Sequence, residues 1–183
     1  MILYINSCVR DDSRTDRLAR ALLRKLGGDF TELTLQDANI APLTQETLAM
    51  RSRLTEQQAF DHPLFAYARQ FAEADVIVIS APLWDLSFPA LLKVYLENIY
   101  VIGLVSRYGS DGRPVGLCRA KVLYYVSTAG GPFDGRFSFD YLRALATECF
   151  GIPTVRLIQA DMLDVDGFDA ETILRRREER LEL

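Results

Sequence analysis

Between Asn6 and Thr15 the chain reads Asn6-Ser7-Cys8-Val9-Arg10-Asp11-Asp12-Ser13-Arg14-Thr15, hydroxyls and arginines placed just ahead of a helical stretch. Unpaired backbone N–H groups and the positive end of the helix dipole favour an anion there, and Ser7, Ser13 and Thr15 add hydroxyl donors. A phosphate suits this loop. A plainer role is equally open, with Ser13 serving only as the helix cap and Arg10 and Arg14 solvated. The loop contains neither G-x-x-x-x-G-K-[ST] nor G-x-G-x-x-G, which disfavours a P-loop nucleotidase and a standard dinucleotide fold.

Two more segments could serve a ligand. Ser80-Ala81-Pro82-Leu83-Trp84-Asp85-Leu86-Ser87-Phe88-Pro89 brings together the sole tryptophan, a broad apolar surface and a carboxylate. Such a wall suits a flat ring. Taken singly, Trp84 reads equally well as core, and Asp85 or Ser87 as a helix cap. In Ser127-Thr128-Ala129-Gly130-Gly131-Pro132 the paired glycines let a ligand approach the backbone, whose N–H groups can bond ring carbonyls or the negative charge of a reduced ring. A simple turn explains the glycines as well.

What joins the three segments is the sheet they punctuate. Apolar runs at Ile2 to Ile5, Phe30 to Leu35, Val76 to Ile79, Val122 to Val126 and Thr154 to Ile158 predict five strands, spaced widely enough for a helix between neighbours. Several are nearly continuous β-branched or aromatic runs, which suits parallel strands covered on both faces. Helices are predicted from near Ser13 to Gly27, over Pro63 to Ala74, from Pro89 as a first-turn proline through Ile99, over Phe139 to Phe150 and over Asp169 to Leu181. Gln36 to Leu43 and Gly103 to Ala120 are left as long connections. The second either reaches across a dimer or is an exposed, disordered hairpin.

In an open parallel sheet, ligands lie beyond the carboxyl ends of the strands where strand order reverses. An anion loop, an aromatic loop and a glycine loop all fall on that edge. One ligand with a phosphate tail and a flat polar ring would use all three, and FMN is such a ligand.

Bulk properties narrow the alternatives. At 183 residues, 49% of them hydrophobic, the chain suits one α/β domain over residues 1–183. A net charge of -4 offers no global positive field for nucleic acid or an anionic membrane. No apolar run approaches the roughly 20 residues of a membrane-spanning helix, and the amino-terminal apolar run is too short for a signal peptide, so a cytoplasmic protein is expected. Cys8, Cys118 and Cys149 have no paired spacing and read as reduced small hydrophobes. His62, the only histidine, stands before Pro63 and reads as a loop or helix-start residue, which leaves no multi-histidine metal site.

The stretch Ala81-Pro82-Leu83-Trp84-Asp85-Leu86-Ser87-Phe88-Pro89-Ala90-Leu91-Leu92-Lys93, followed by Ser127-Thr128-Ala129-Gly130-Gly131, resembles the FMN-dependent NAD(P)H:quinone oxidoreductase and NADH-azoreductase family. The resemblance spans nearly the whole chain. It implies a flavodoxin-like three-layer sandwich with a five-stranded parallel sheet in order 2-1-3-4-5, non-covalent FMN and a homodimer. It implies a phosphate site at Ser7, Ser13, Arg14 and Thr15. Pro82, Leu83, Trp84, Asp85 and Leu86 would border the ring, and Ser127, Thr128, Ala129, Gly130 and Gly131 would contact its other edge. Azoreductases commonly carry asparagine where this chain has Asp85. The implied reaction is a ping-pong transfer of electrons from NADH or NADPH to a quinone-like or other aromatic acceptor, the chemistry resting on the cofactor. A flavodoxin-type FMN carrier with a protein redox partner is the alternative.

Overall fold

The computed structural model describes residues 1–183. In chain order its elements are β1 (Ile2–Asn6), α1 (Arg14–Leu26), β2 (Phe30–Thr34), α2 (Gln45–Glu56), α3 (Ala66–Glu73), β3 (Val76–Ser80), α4 (Ala90–Ile99), β4 (Ser106–Tyr108), β5 (Pro114–Gly116), β6 (Val122–Thr128), α5 (Phe139–Ala144), β7 (Thr154–Ala160) and α6 (Ala170–Glu179). The five expected strands pair in the order β2-β1-β3-β6-β7, every neighbour parallel. This is the flavodoxin-like order 2-1-3-4-5 counted over the main sheet.

Side-chain alternation divides the core between two faces. Leu3, Ile5, Ile77, Ile79, Leu123 and Tyr125 face one layer, closed by residues of α3, α4 and α5 such as Phe71, Leu92 and Leu142. Tyr4, Val78, Tyr124, Val126 and Ile158 face the other, where Leu18, Leu22 and Leu174 of α1 and α6 close it. With both faces covered, the central strands need no polar alternation, which is why their sequences are nearly continuous apolar runs.

Local signals account for most element ends. Ser13 caps α1 by accepting from the Asp16 N–H, and Gly27 ends the helix at φ 70°. Asp169 caps α6 through the N–H groups of Glu171 and Thr172. Pro89 stands one position before α4 rather than inside its first turn. The helix expected over Pro63 to Ala74 divides into a 3-10 turn, Pro63–Phe65, and α3; His62 caps that turn, its Nδ1 accepting from the Leu64 N–H. The expected Phe139 to Phe150 helix is α5 continued by a π-helical stretch, Leu145–Phe150, and it ends on Gly151 at φ 74°. All three cysteines are free.

Two elements correct the sequence reading. Helix α2 lies in a stretch that carried no helix expectation, since Leu54 is its only buried residue and Leu48 and Met50 face solvent. The Gly103 to Ala120 connection contains an antiparallel hairpin, β4 with β5. That hairpin is not free: it packs back on its own chain, where the Cys118 N–H donates to the Phe150 carbonyl at 3.2 Å and Gly116 lies against Gly151.

Candidate functional site

Strands β1, β3, β6 and β7 deliver their following loops to one edge, and those loops enclose a cleft. From the β1–α1 loop it is lined by Cys8, Val9, Arg10, Asp12, Ser13, Arg14 and Thr15. Pro82, Leu83 and Trp84 form the wall from the β3–α4 loop, and Thr128, Ala129 and Gly130 come from the end of β6. Thus Ser13, Arg14, Thr15, Pro82, Leu83, Trp84, Thr128, Ala129 and Gly130 converge as the three loops predict.

Five expected residues stand otherwise. Ser7 is buried, and its hydroxyl donates to the Ser80 carbonyl at 2.8 Å, which removes it as a ligand donor. Ser127 lies behind the cleft, fully buried, its Oγ without a hydrogen-bond partner. Asp85 and Leu86 form the tip of a tight turn closed by reciprocal 2.8 Å bonds between Trp84 and Ser87. Both have left-handed backbone, φ 50° and 68°, and neither lines the cleft. That turn geometry is ordinarily the province of Asn and Gly, and a leucine in it is strained. Gly131 is not a wall residue either, although it continues the loop beside Gly130.

The fourth wall went unpredicted. Leu163 and Asp164, from the loop after β7, line the cleft and carry neither glycine nor hydroxyl to announce it. The signal available was positional, because β7 ends at the same sheet edge.

The donors of this cleft fall into two sets. At the start of α1 the N–H groups of Arg14 and Thr15 find no acceptor in the protein, while those of Asp16 and Arg17 turn to Ser13. The Thr15 hydroxyl lies 2.6 Å from that of Thr128, a bond that ties the first loop to β6. In the glycine loop the N–H groups of Gly130 and Gly131 are likewise unpaired. Buried or half-buried backbone donors without partners are costly unless a ligand or water meets them.

A family model described as flavodoxin-like fold matches residues 1–182. An FMN-dependent NADH:quinone oxidoreductase of Clostridium acetobutylicum is 37% identical over 95% of this chain and 92% of its own. The chain belongs to this family of FMN-dependent NADH:quinone oxidoreductases. A namesake from Caldicellulosiruptor saccharolyticus is 38% identical over 94% of this chain and 92% of its own. Among solved structures, an azoreductase from Bacillus anthracis superposes with a TM-score of 0.81 at 20% identity, covering 97% of this chain and 94% of that one, which shows the shared fold. An NAD(P)H:quinone oxidoreductase from Methanothermobacter marburgensis does so at 0.72 and 19% identity, covering 97% and 93%.

In this oxidoreductase-family chain a polar network holds the anion-facing loop from below. The Tyr4 hydroxyl donates to Asp16 Oδ1 at 2.5 Å and sits 2.8 Å from Ser80 Oγ. Asn6 Nδ2 donates to the same Asp16 oxygen at 3.1 Å, and Asn6 Oδ1 accepts from the Cys8 N–H at 2.9 Å. Arg20 Nε meets Asp16 Oδ2 at 2.7 Å, and Arg20 Nη2 meets Glu32 at 2.8 Å. Burial, then the bond to Asp16, pushes the Tyr4 phenol far above its usual range, so it serves as a fixed donor. A hydrogen bond to a charged group contributes roughly 1.5–3 kcal/mol. Tyr4→Phe is therefore expected to lower unfolding stability by that amount, read as a reduced urea midpoint at unchanged m; an unmoved midpoint would remove the bond from the stability account.

Proposed function

We propose that the cleft holds non-covalent FMN and that the protein, a single-domain cytoplasmic homodimer, passes electrons from NADH or NADPH to quinone-like or other aromatic acceptors. The observation that carries this reading is the pair of unpaired donor sets: Arg14 and Thr15 N–H at one end, Gly130 and Gly131 N–H at the other. A phosphate matches the first, with Ser13 and the Arg14 guanidinium beside it, because a helix start and a cation act together on an anion. Ring oxygens and nitrogens match the second. Leu83, Pro82 and the half-exposed Trp84 supply the apolar wall that keeps water from a flat ring.

The chemistry FMN supplies when bound is two-electron transfer between nicotinamide and acceptor. The chain's own contribution is orientation and electrostatics: fixed N–H dipoles at Gly130 and Gly131 favour negative charge nearby without reorganising. No side chain is required as an acid or base. Relatives named FMN-dependent NADH:quinone oxidoreductase over more than nine-tenths of the chain support the reading. Three free cysteines accord with a reducing compartment. No helix is long and apolar enough to cross a membrane.

Two measurements test it. FMN at about 100 times its dissociation constant should stabilise the protein by roughly 2.7 kcal/mol, a rise in Tm on the order of 5–10 °C for a chain of this size. Anaerobic NADH or NADPH should then bleach the flavin band, and a soluble quinone should restore it. Absence of both thermal shift and flavin uptake would remove the cofactor; flavin that stays oxidised with either nucleotide would leave an electron carrier.

A further inference from the structure

The loop after β7 lines the cleft beside the glycine loop. The N–H groups of Met162, Leu163 and Asp164 donate to the carbonyls of Gly131, Ala129 and Gly130 at 3.1, 3.3 and 2.9 Å. These bonds join it to the glycine loop. The Asp164 carboxylate lies over Gly130, so close that a Cβ added there would stand 2.5 Å from Asp164 Oδ2. Its other oxygen accepts from Arg14 Nη1 at 2.7 Å, and the Leu163 carbonyl accepts from the same nitrogen at 3.2 Å. One exposed carboxylate thus bridges the glycine loop and the Arg14 guanidinium, and it occupies that cation.

We infer that Asp164 sets the cofactor affinity of this cleft by competing with the cofactor phosphate for Arg14, an inference that rests on the FMN reading above. Arg14 is 44% and Asp164 68% exposed, and an ion pair so open to solvent contributes little to folding, about 0–1 kcal/mol. Its consequence for a dianionic ligand is larger. The Asp164 carboxylate beside it offsets part of the charge that Arg14 presents to an incoming phosphate. Tethering alone does not explain the arrangement, because the Leu163 carbonyl would still hold Nη1 if the carboxylate were gone. Arg14 Nε and Nη2 have no protein acceptor and are free for the ligand. Asp164 therefore lowers affinity for phosphorylated flavin more than for the unphosphorylated ring.

Apoprotein titrated with FMN and with riboflavin, by flavin fluorescence at low ionic strength, tests this. Asp164→Asn keeps the side-chain size and an oxygen acceptor for Arg14, and as an exposed change it leaves the fold intact. It should bind FMN roughly three- to tenfold more tightly, from one unit of charge beside a dianion. Riboflavin affinity should move much less. In an Arg14→Gln background the gain should shrink to the direct repulsion alone, since no cation is left to release. Unchanged or weaker FMN binding in Asp164→Asn, an equal gain for riboflavin, or a gain undiminished without Arg14 would each overturn the inference. A wild-type protein that takes up neither flavin overturns the FMN reading and this inference together, whereas FMN-binding wild type with an unresponsive Asp164→Asn overturns only the inference.

Discussion

Gly116→Ala is expected to destabilise the protein by about 3 kcal/mol, the upper part of the range for overpacking a tight contact. The reason is a backbone-to-backbone approach. A Cβ at Gly116 would overlap the Gly151 nitrogen and the Phe150 carbonyl carbon, which are main-chain atoms at the end of the π-helical stretch and cannot rotate aside. Gly151 itself is fixed at φ 74° as the stop of that helix, so the partner surface has no freedom to yield. The hairpin must lift, and with it goes the bond from the Cys118 N–H to the Phe150 carbonyl. For a chain of this size the shift corresponds to a Tm lower by roughly 6–12 °C. Gly131→Ala serves as the control, because nothing lies within 4 Å of a Cβ there and its φ is not positive; it should leave Tm nearly unchanged. Equal Tm values for wild type and Gly116→Ala would mean that the hairpin is not docked on this helix end in solution.

That contact also shows where sequence reasoning reaches its limit. The sheet was legible because burial on both faces writes itself into composition: Val76 to Ile79 has no polar residue to place on a solvent side, and only a strand covered by helices on both faces tolerates that. Helix α1 was legible through Leu18, Leu22 and Gly27. Helix α2 was not, since its apolar Leu48 and Met50 are exposed and a single buried Leu54 makes no stripe. Its Thr44–Thr47 cap is real, with each threonine bonding the other's backbone, yet it lacks the Glu or Gln that makes a capping box recognisable in a sequence. The hairpin strands are three residues each and carry Pro114 and Gly116, below what periodicity can register.

The site divides in the same way. Hydroxyls, a lone tryptophan and paired glycines marked three loops, and all three meet at the cleft. Which individual side chains face it is a matter of rotamer and hydrogen-bond competition, which residue types do not encode. Ser7 has the right type and position, but its hydroxyl donates to the Ser80 carbonyl of the neighbouring strand. Asp164 has a type that argues against an anion site, and it enters because β7 happens to end there. The one carboxylate that sequence comparison singled out, Asp85, is held outside by the turn it occupies.

Arg14→Glu is expected to weaken FMN binding about a hundredfold while changing riboflavin binding only a few-fold. Losing a charge-assisted hydrogen bond removes roughly 1.5–3 kcal/mol, and a carboxylate facing a phosphate adds repulsion; together they reach the 2.7 kcal/mol or so that a hundredfold change in affinity requires. The substitution costs the fold little beyond the exposed pair with Asp164 and the bond to the Leu163 carbonyl. Arg14 is the first residue of α1, where a glutamate interacts favourably with the helix dipole, and the native partner Asp164 is solvent-exposed. A lower affinity can then be assigned to the ligand rather than to a damaged helix, provided Tm of the apoprotein stays near wild type. The ratio of the two flavins carries the argument, because only FMN has the phosphate. Parallel losses for FMN and riboflavin would mean that Arg14 acts on the ring or on the cleft as a whole, and the phosphate would have to be sought away from the start of α1. A loss confined to FMN, reduced at high ionic strength as exposed charge interactions are, ties the phosphate to the donors of Arg14 and Thr15 and so fixes which end of the cleft the ring must occupy.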